Sequence, residues 1–312
     1  MAKLLSQAAF ERAARFMHEE ARPLERALFA YYFEKGSRTS VLAALVPYQN
    51  SDGGFGHGIE PDIRSSASSV IGTVTALDIL RRVRADEDTP GLPAALAYLI
   101  ETYDVDSERW PIVPPDIEDA PHAPWWSHAE SAENFRGFWA NPRASVIAHL
   151  QQYVRLAPSP FTEGARQSVV EDLMRYSQRM EMHDLLSFVD LLETNGLPME
   201  HYESILDKLR RALPHSVETD PAQWTGYRLQ PLQVVYFPGS PLAGVFDPDV
   251  IDANLDFLID QQQPDGSWAP NWSWDFIDAA AWAAAEREWR GILTLRKLRT
   301  LRAYGRIETA GS

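Results

Sequence analysis

The sequence of 312 residues contains no cysteine. Disulfides and thiolate metal ligands are therefore excluded, and the chain suits a reducing compartment. Positive charge is also scarce. Only 29 Lys and Arg stand against 44 Asp and Glu, a formal net charge of -15. A phosphate backbone would be repelled, so nucleic acid is not an expected partner. No apolar run approaches the roughly 20 residues that a membrane-crossing helix needs. The opening segment, Met1 to Gln7, breaks its apolar stretch at once with polar residues and does not read as a signal peptide. The expectation is a soluble, cytoplasmic protein. Strand signals are missing too, with no alternating β-branched run bounded by hairpin turns. A P-loop, a dinucleotide fingerprint, a Gly-x-Ser-x-Gly elbow and a zinc-protease helix are all lacking, and no cofactor is implied.

Helical periodicity is present throughout. Leu185, Phe188, Val189 and Leu192 fall at i, i+3, i+4, i+7, and Asn195-Gly196 supplies a stop. Tyr202 to Leu213 and Val146 to Val154 repeat the pattern. Before the second of these, Asn141 is placed to cap and Pro142 to open the helix. Asp247-Pro248 opens another helix carrying Ile251, Leu255 and Leu258. Further helices are expected near 6–34 with a kink at Pro23, and over 38–48, 66–83, 92–103, 163–180 and 283–304. Irregular stretches cover about 104–141, 214–247 and 264–282. Loops this long in a compact domain are often functional.

Three helix ends look alike. Leu45 to Phe55 ends in Gln49-Asn50-Ser51-Asp52-Gly53-Gly54-Phe55, and Leu258 to Trp268 ends in Gln262-Gln263-Pro264-Asp265-Gly266-Ser267-Trp268. Leu99 to Trp110 is a degenerate third copy. Each joins an amphipathic helix to an Asp-led turn and an aromatic ring that can fold back onto the helix ends.

These turns resemble the repeat of squalene cyclases and protein prenyltransferases. That resemblance implies an all-α fold: one α/α toroid domain over 1–312, with helix pairs arranged around a central cavity. Element lengths give about ten to twelve helices. The chain also resembles a family of uncharacterised bacterial proteins, through Gly53 to Asp62, Pro121 to Trp126 and Glu288 to Gly291. Two marks of the characterised families are missing. The prenyltransferase zinc set needs a Cys, and the cyclase Asp-x-Asp-Asp has only Asp104-Val105-Asp106-Ser107 as its nearest string.

The resemblance places the segment after the first turn at the cavity mouth. Glu60 and Asp62 are then the candidate catalytic acids, because a carboxyl group among aromatic rings has a raised pKa. His57 and Arg64 flank them. Pro121 to His128 lies in the longest irregular stretch and offers His122, Trp125 and Trp126 as substrate contacts. Trp274 and Asp275 add a second aromatic and carboxylate pair near the C-terminus. The competing reading makes Asp62 or a serine a helix cap, pairs Glu60 with Arg64, and uses the tryptophans as a structural plug. No metal is expected, because no His-x-x-x-His or similar ligand spacing lies on a helix. The basic residues from Arg296 to Arg306 read as a solvated face at a helix C-terminus. An apolar small molecule is the expected substrate, with isoprenoids the class that the resemblance suggests, turned over with acid assistance. A carbohydrate-active toroid and a non-catalytic binding module are the alternatives.

Overall fold

The computed structural model describes residues 2–135 and 140–308. Among them thirteen α-helices follow one another, with isolated bridges and no strand. They are α1 (Gln7–Glu19), α2 (Pro23–Phe33), α3 (Arg38–Leu45), α4 (Val70–Arg82), α5 (Leu92–Glu101), α6 (Ser131–Asn134) and α7 (Arg143–Gln152). The remainder are α8 (Ser159–Arg175), α9 (Met182–Leu192), α10 (Met199–Ser216), α11 (Pro231–Val234), α12 (Pro248–Asp260) and α13 (Ala279–Ala303). None is long and apolar enough to cross a membrane among the described residues. Pro23 starts a second helix instead of kinking one, since its missing N–H costs nothing at a first helical position. The Asn141 side chain accepts from Ser187 Oγ at 3.3 Å and does not cap α7. Part of the irregular stretch 104–141 lies outside the described residues.

The chain gathers into two compact units, Met1–Ala44 with Val217–Ser312, and Leu45–Ser216. In the first unit α13 packs on α1 and α2, and α11 packs on α12. The two ends of the chain meet there: the Leu5 amide donates to Arg306 O at 2.8 Å and the Glu308 amide to Leu5 O at 3.0 Å. The basic run near the C-terminus is not a uniform solvated face. Arg299 and Arg302 lie over the Tyr32 and Phe33 rings, and buried Arg306 bridges Asp252 and Asp256. In the second unit α7 packs on α4, α8 and α9, with α5 beside α4 and α10 beside α8 and α9. Helix α7 is enclosed on every side, so Arg143 through Gln151 are all buried.

The repeat turns share one hydrogen-bond plan. Gln49 Nε2 donates to Gly53 O at 2.9 Å and to Gly91 O at 2.8 Å, at the start of α5. Gln262 Nε2 does the same with Gly266 O and with Ala9 O in α1, both at 3.0 Å. Asp52 and Asp265 each accept the amide two residues on. The amides of Phe55 and Trp268 donate to Thr73 and Thr294 Oγ1, each at 3.0 Å. The degenerate copy keeps the aromatic end. Trp110 Nε1 donates to Leu99 O, as Trp268 Nε1 does to Leu258 O, and Tyr103 meets Phe161 at the start of α8. Each turn therefore seats on a helix start: the first on α5, the third on α8, and the C-terminal one on α1. Thr294 is fully buried. Thr294→Val strands the Trp268 amide and is expected to cost about 1–3 kcal/mol in urea unfolding.

Candidate functional site

The N-terminus of α4 is capped by Ser69, whose side chain accepts from the Gly72 amide at 3.0 Å. This is the serine cap of the competing sequence reading. Residues 57–62 ahead of it form successive turns, with the Ile59 amide on Gly56 O at 3.1 Å and the Ile63 amide on Glu60 O at 3.0 Å, and residues 62–64 pair with residues 121–123. The Arg64 amide donates to Pro121 O at 3.0 Å, the Ala123 amide donates to Asp62 O at 2.8 Å, and Ile63 faces His122 in an antiparallel bridge. Two segments distant in sequence are thus zipped side by side in the second unit.

Glu60, Arg64, His122 and Trp125 belong to these paired segments and are all half-buried. Arg64 reaches back to Pro61 O at 3.3 Å, and its guanidinium covers Gly58, where a Cβ would lie 3.4 Å from Nη1. His57 is exposed in a left-handed conformation, φ 54°, and bonds Asn50 Oδ1 at 2.8 Å through Nε2. The His122 ring sits between Ala120 O, 2.8 Å from Nδ1, and Glu118, 3.6 Å from Nε2. The Ala129 amide holds the Glu118 carboxyl below its usual range, with Ser127 and His122 adding to the effect against desolvation.

The carboxyl-bearing residues and the tryptophans differ in burial. Asp62 is 2% exposed. Trp126 packs on a cluster of Ile63, Ile112, Val113 and Ile117 together with Phe135, and its indole N–H has no hydrogen-bond partner among the described residues. Trp274 and Asp275 lie in the other unit. Trp274 is fully buried against Trp282, and Asp275 is exposed and accepts from Ser273 Oγ at 2.6 Å. Among the described residues no group of three or more His, Asp or Glu is placed to hold a metal.

A second polar cluster lies where the C-terminal ends of α4 and α9 meet α7, roughly 12–17 Å along α4 from Val70. Asp78 Oδ1 and Asp190 Oδ1 meet the same atom, Arg81 Nη2, at 3.0 and 3.2 Å. Ser145 Oγ donates to Asp190 Oδ2 at 3.0 Å, and His149 Nε2 stands 3.5 Å from Asp78 Oδ1. Burial pushes the His149 imidazole down to about 4, with Arg81 and Arg82 helping and Asp78 opposing. Burial, then repulsion from Asp78, raises the Asp190 carboxyl to about 6 against the pull of Arg81, Arg82 and Ser145. Sequence reading missed this cluster. Its members are spread across three helices, and no spacing links them.

No protein-family model and no curated protein sequence matches the chain. The family resemblance rests on the repeat turns and the segments already named.

Proposed function

We propose that the chain is an acid-assisted enzyme of the α/α toroid type, whose site is the rim formed by residues 57–64 and 120–126. The ring is supported by the seating of the turns. The last turn docks on α1 within the first unit as the first docks on α5 within the second, the helix-to-turn seating expected of such a repeat. The pairing of Asp62–Arg64 with Pro121–Ala123 supports this site, because it brings side by side the two segments that carry Glu60, Arg64, His122 and Trp125. Glu60 serves as the acid, Asp62 supports the loop from within, and Arg64, His122 and Trp125 hold the substrate.

Two substrate classes compete. An isoprenoid needs indoles lining a dry cavity, as in the families that the repeat resembles. Trp126 and Trp274, however, are taken up in packing. The groups left half-buried on the rim are polar or amphipathic, which favours a hydroxylated substrate and a carbohydrate-active enzyme. The test is turnover of prenyl diphosphates and of oligosaccharides by the purified chain. Glu60→Gln should lower turnover about a hundredfold or more with unchanged thermal melting. Turnover of prenyl diphosphates alone restores the isoprenoid reading. Activity that survives Glu60→Gln removes Glu60 from the mechanism.

A further inference from the structure

The cluster at the far end of α4 has the composition of a site and is incomplete as a purely structural bridge. Its front is reachable from solvent: the Arg81, Asp78 and Asp190 side chains are 17%, 20% and 29% exposed. Its back is not. His149 and Tyr153 are 1% and 3% exposed, yet His149 Nδ1 and Tyr153 Oη have no hydrogen-bond partner among the described residues. Buried polar groups in native proteins are nearly always paired, so two orphans behind one ion network call for a reason. Both sit in the field of Asp78 and Arg81.

We propose that Asp78, Arg81 and Asp190, backed by His149 and Tyr153, form a second binding site, for an uncharged polyhydroxylated ligand such as a sugar or polyol. The charge pattern selects that class. Asp78 repels an anion, Arg81 and the neighbouring Arg82 repel a cation, and together the groups leave a wall close to neutral. Each hydroxyl of a polyol donates and accepts at once, so vicinal hydroxyls match a carboxylate acceptor set beside a guanidinium donor. A hydroxyl reaching deeper would donate to His149 Nδ1 and accept from Tyr153 Oη, pairing the two orphans. His149 Nε2–H faces Asp78, which leaves Nδ1 as the acceptor. The site is independent of the rim at the other end of α4, and neither proposal needs the other.

The test is nuclear magnetic resonance of the full chain carrying 13C-labelled aspartate and 15N-labelled arginine. Glucose, xylose and myo-inositol are titrated in separately, with inorganic phosphate and ammonium as charged controls. The expected result is a saturable shift of the Asp78, Asp190 and Arg81 resonances with at least one polyol and with neither control. Asp190→Asn should weaken that binding at least tenfold. Tyr153→Phe is the variant that guards against misfolding, because it removes only an unpaired buried hydroxyl. It should melt at or above the wild-type temperature and bind the polyol several-fold more weakly. The proposal is overturned if no polyol gives a saturable shift, if phosphate or ammonium binds instead, or if binding is unchanged in Tyr153→Phe.

Discussion

Gly266→Ala is expected to destabilise the protein by about 2–4 kcal/mol, from a left-handed backbone penalty and from overpacking. Gly266 has φ +91°, and an added Cβ would sit 2.3 Å from the Arg12 carbonyl carbon and 2.5 Å from the Ala13 amide nitrogen. Those are backbone atoms of α1, and they cannot swing aside as a flexible side chain can. Gly53 is the matching position: φ is +89°, with Ala94 O at 2.3 Å, and Gly53→Ala should cost a similar amount. Gly164 supplies the control. It lies inside α8, where an added Cβ would meet nothing within 4 Å, so alanine there should stabilise by up to about 1 kcal/mol. Chemical denaturation of the three variants reads the comparison directly. If Gly266→Ala unfolds with the wild type, the repeat turn is not seated on α1 as described.

These turns are legible in the sequence because their chemistry is local. Gln, Asp, Gly and an aromatic ring at fixed spacing carry the whole hydrogen-bond plan, and the second Gln-Asp-Gly copy needs only Gln262 in the role of Gln49. Helix positions are legible for the same reason. Most ends shift by a few residues, as at α8, which begins at Ser159 and not near 163. The approach of the two loop segments is legible as well, because a long loop must fold over something. The cluster of Asp78, Arg81, His149 and Asp190 is not legible. Periodicity marks a helix with one dry face, but α7 is dry all round. Its Arg143, Ser145, His149 and Gln151 are residue types usually found at a surface, and only the packing of α4, α8 and α9 against it shows them buried. The fate of Trp274 is hidden in the same way, since a tryptophan beside an aspartate looks alike in a core and in a pocket.

Acidification should separate the two titrating groups of that cluster by sign. The folded pKa of His149 is about 4 against an ordinary value of 6.5, so the folded state binds its proton less readily than the unfolded chain. Its contribution to stability is fully present above pH 6.5 and is lost as pH falls through 4, amounting to about 3 kcal/mol. Asp190 behaves oppositely. Its folded pKa is about 6 against 3.8, so its contribution is fully present below pH 3.8 and is lost as pH rises through 6. With a side chain 29% exposed and a charged neighbour in Asp78, about 2 kcal/mol is the reasonable size. In the wild type the two effects largely cancel between pH 7 and 4, and the variants uncover them. The stability advantage of wild type over His149→Gln should shrink by about 3 kcal/mol from pH 7 to pH 4. Over the same range the advantage of wild type over Asp190→Asn should grow by about 2 kcal/mol. Every other titrating group is common to each pair of curves, so the difference isolates the substituted residue and the neighbours that feel it: Asp78, Arg81 and Arg82 on α4 and Ser145 on α7. Urea unfolding at several pH values measures both differences. Two slopes of the same sign, or two flat ones, would mean that His149 is not held neutral beside Asp78, or that Asp190 is not the group sharing Arg81 with it.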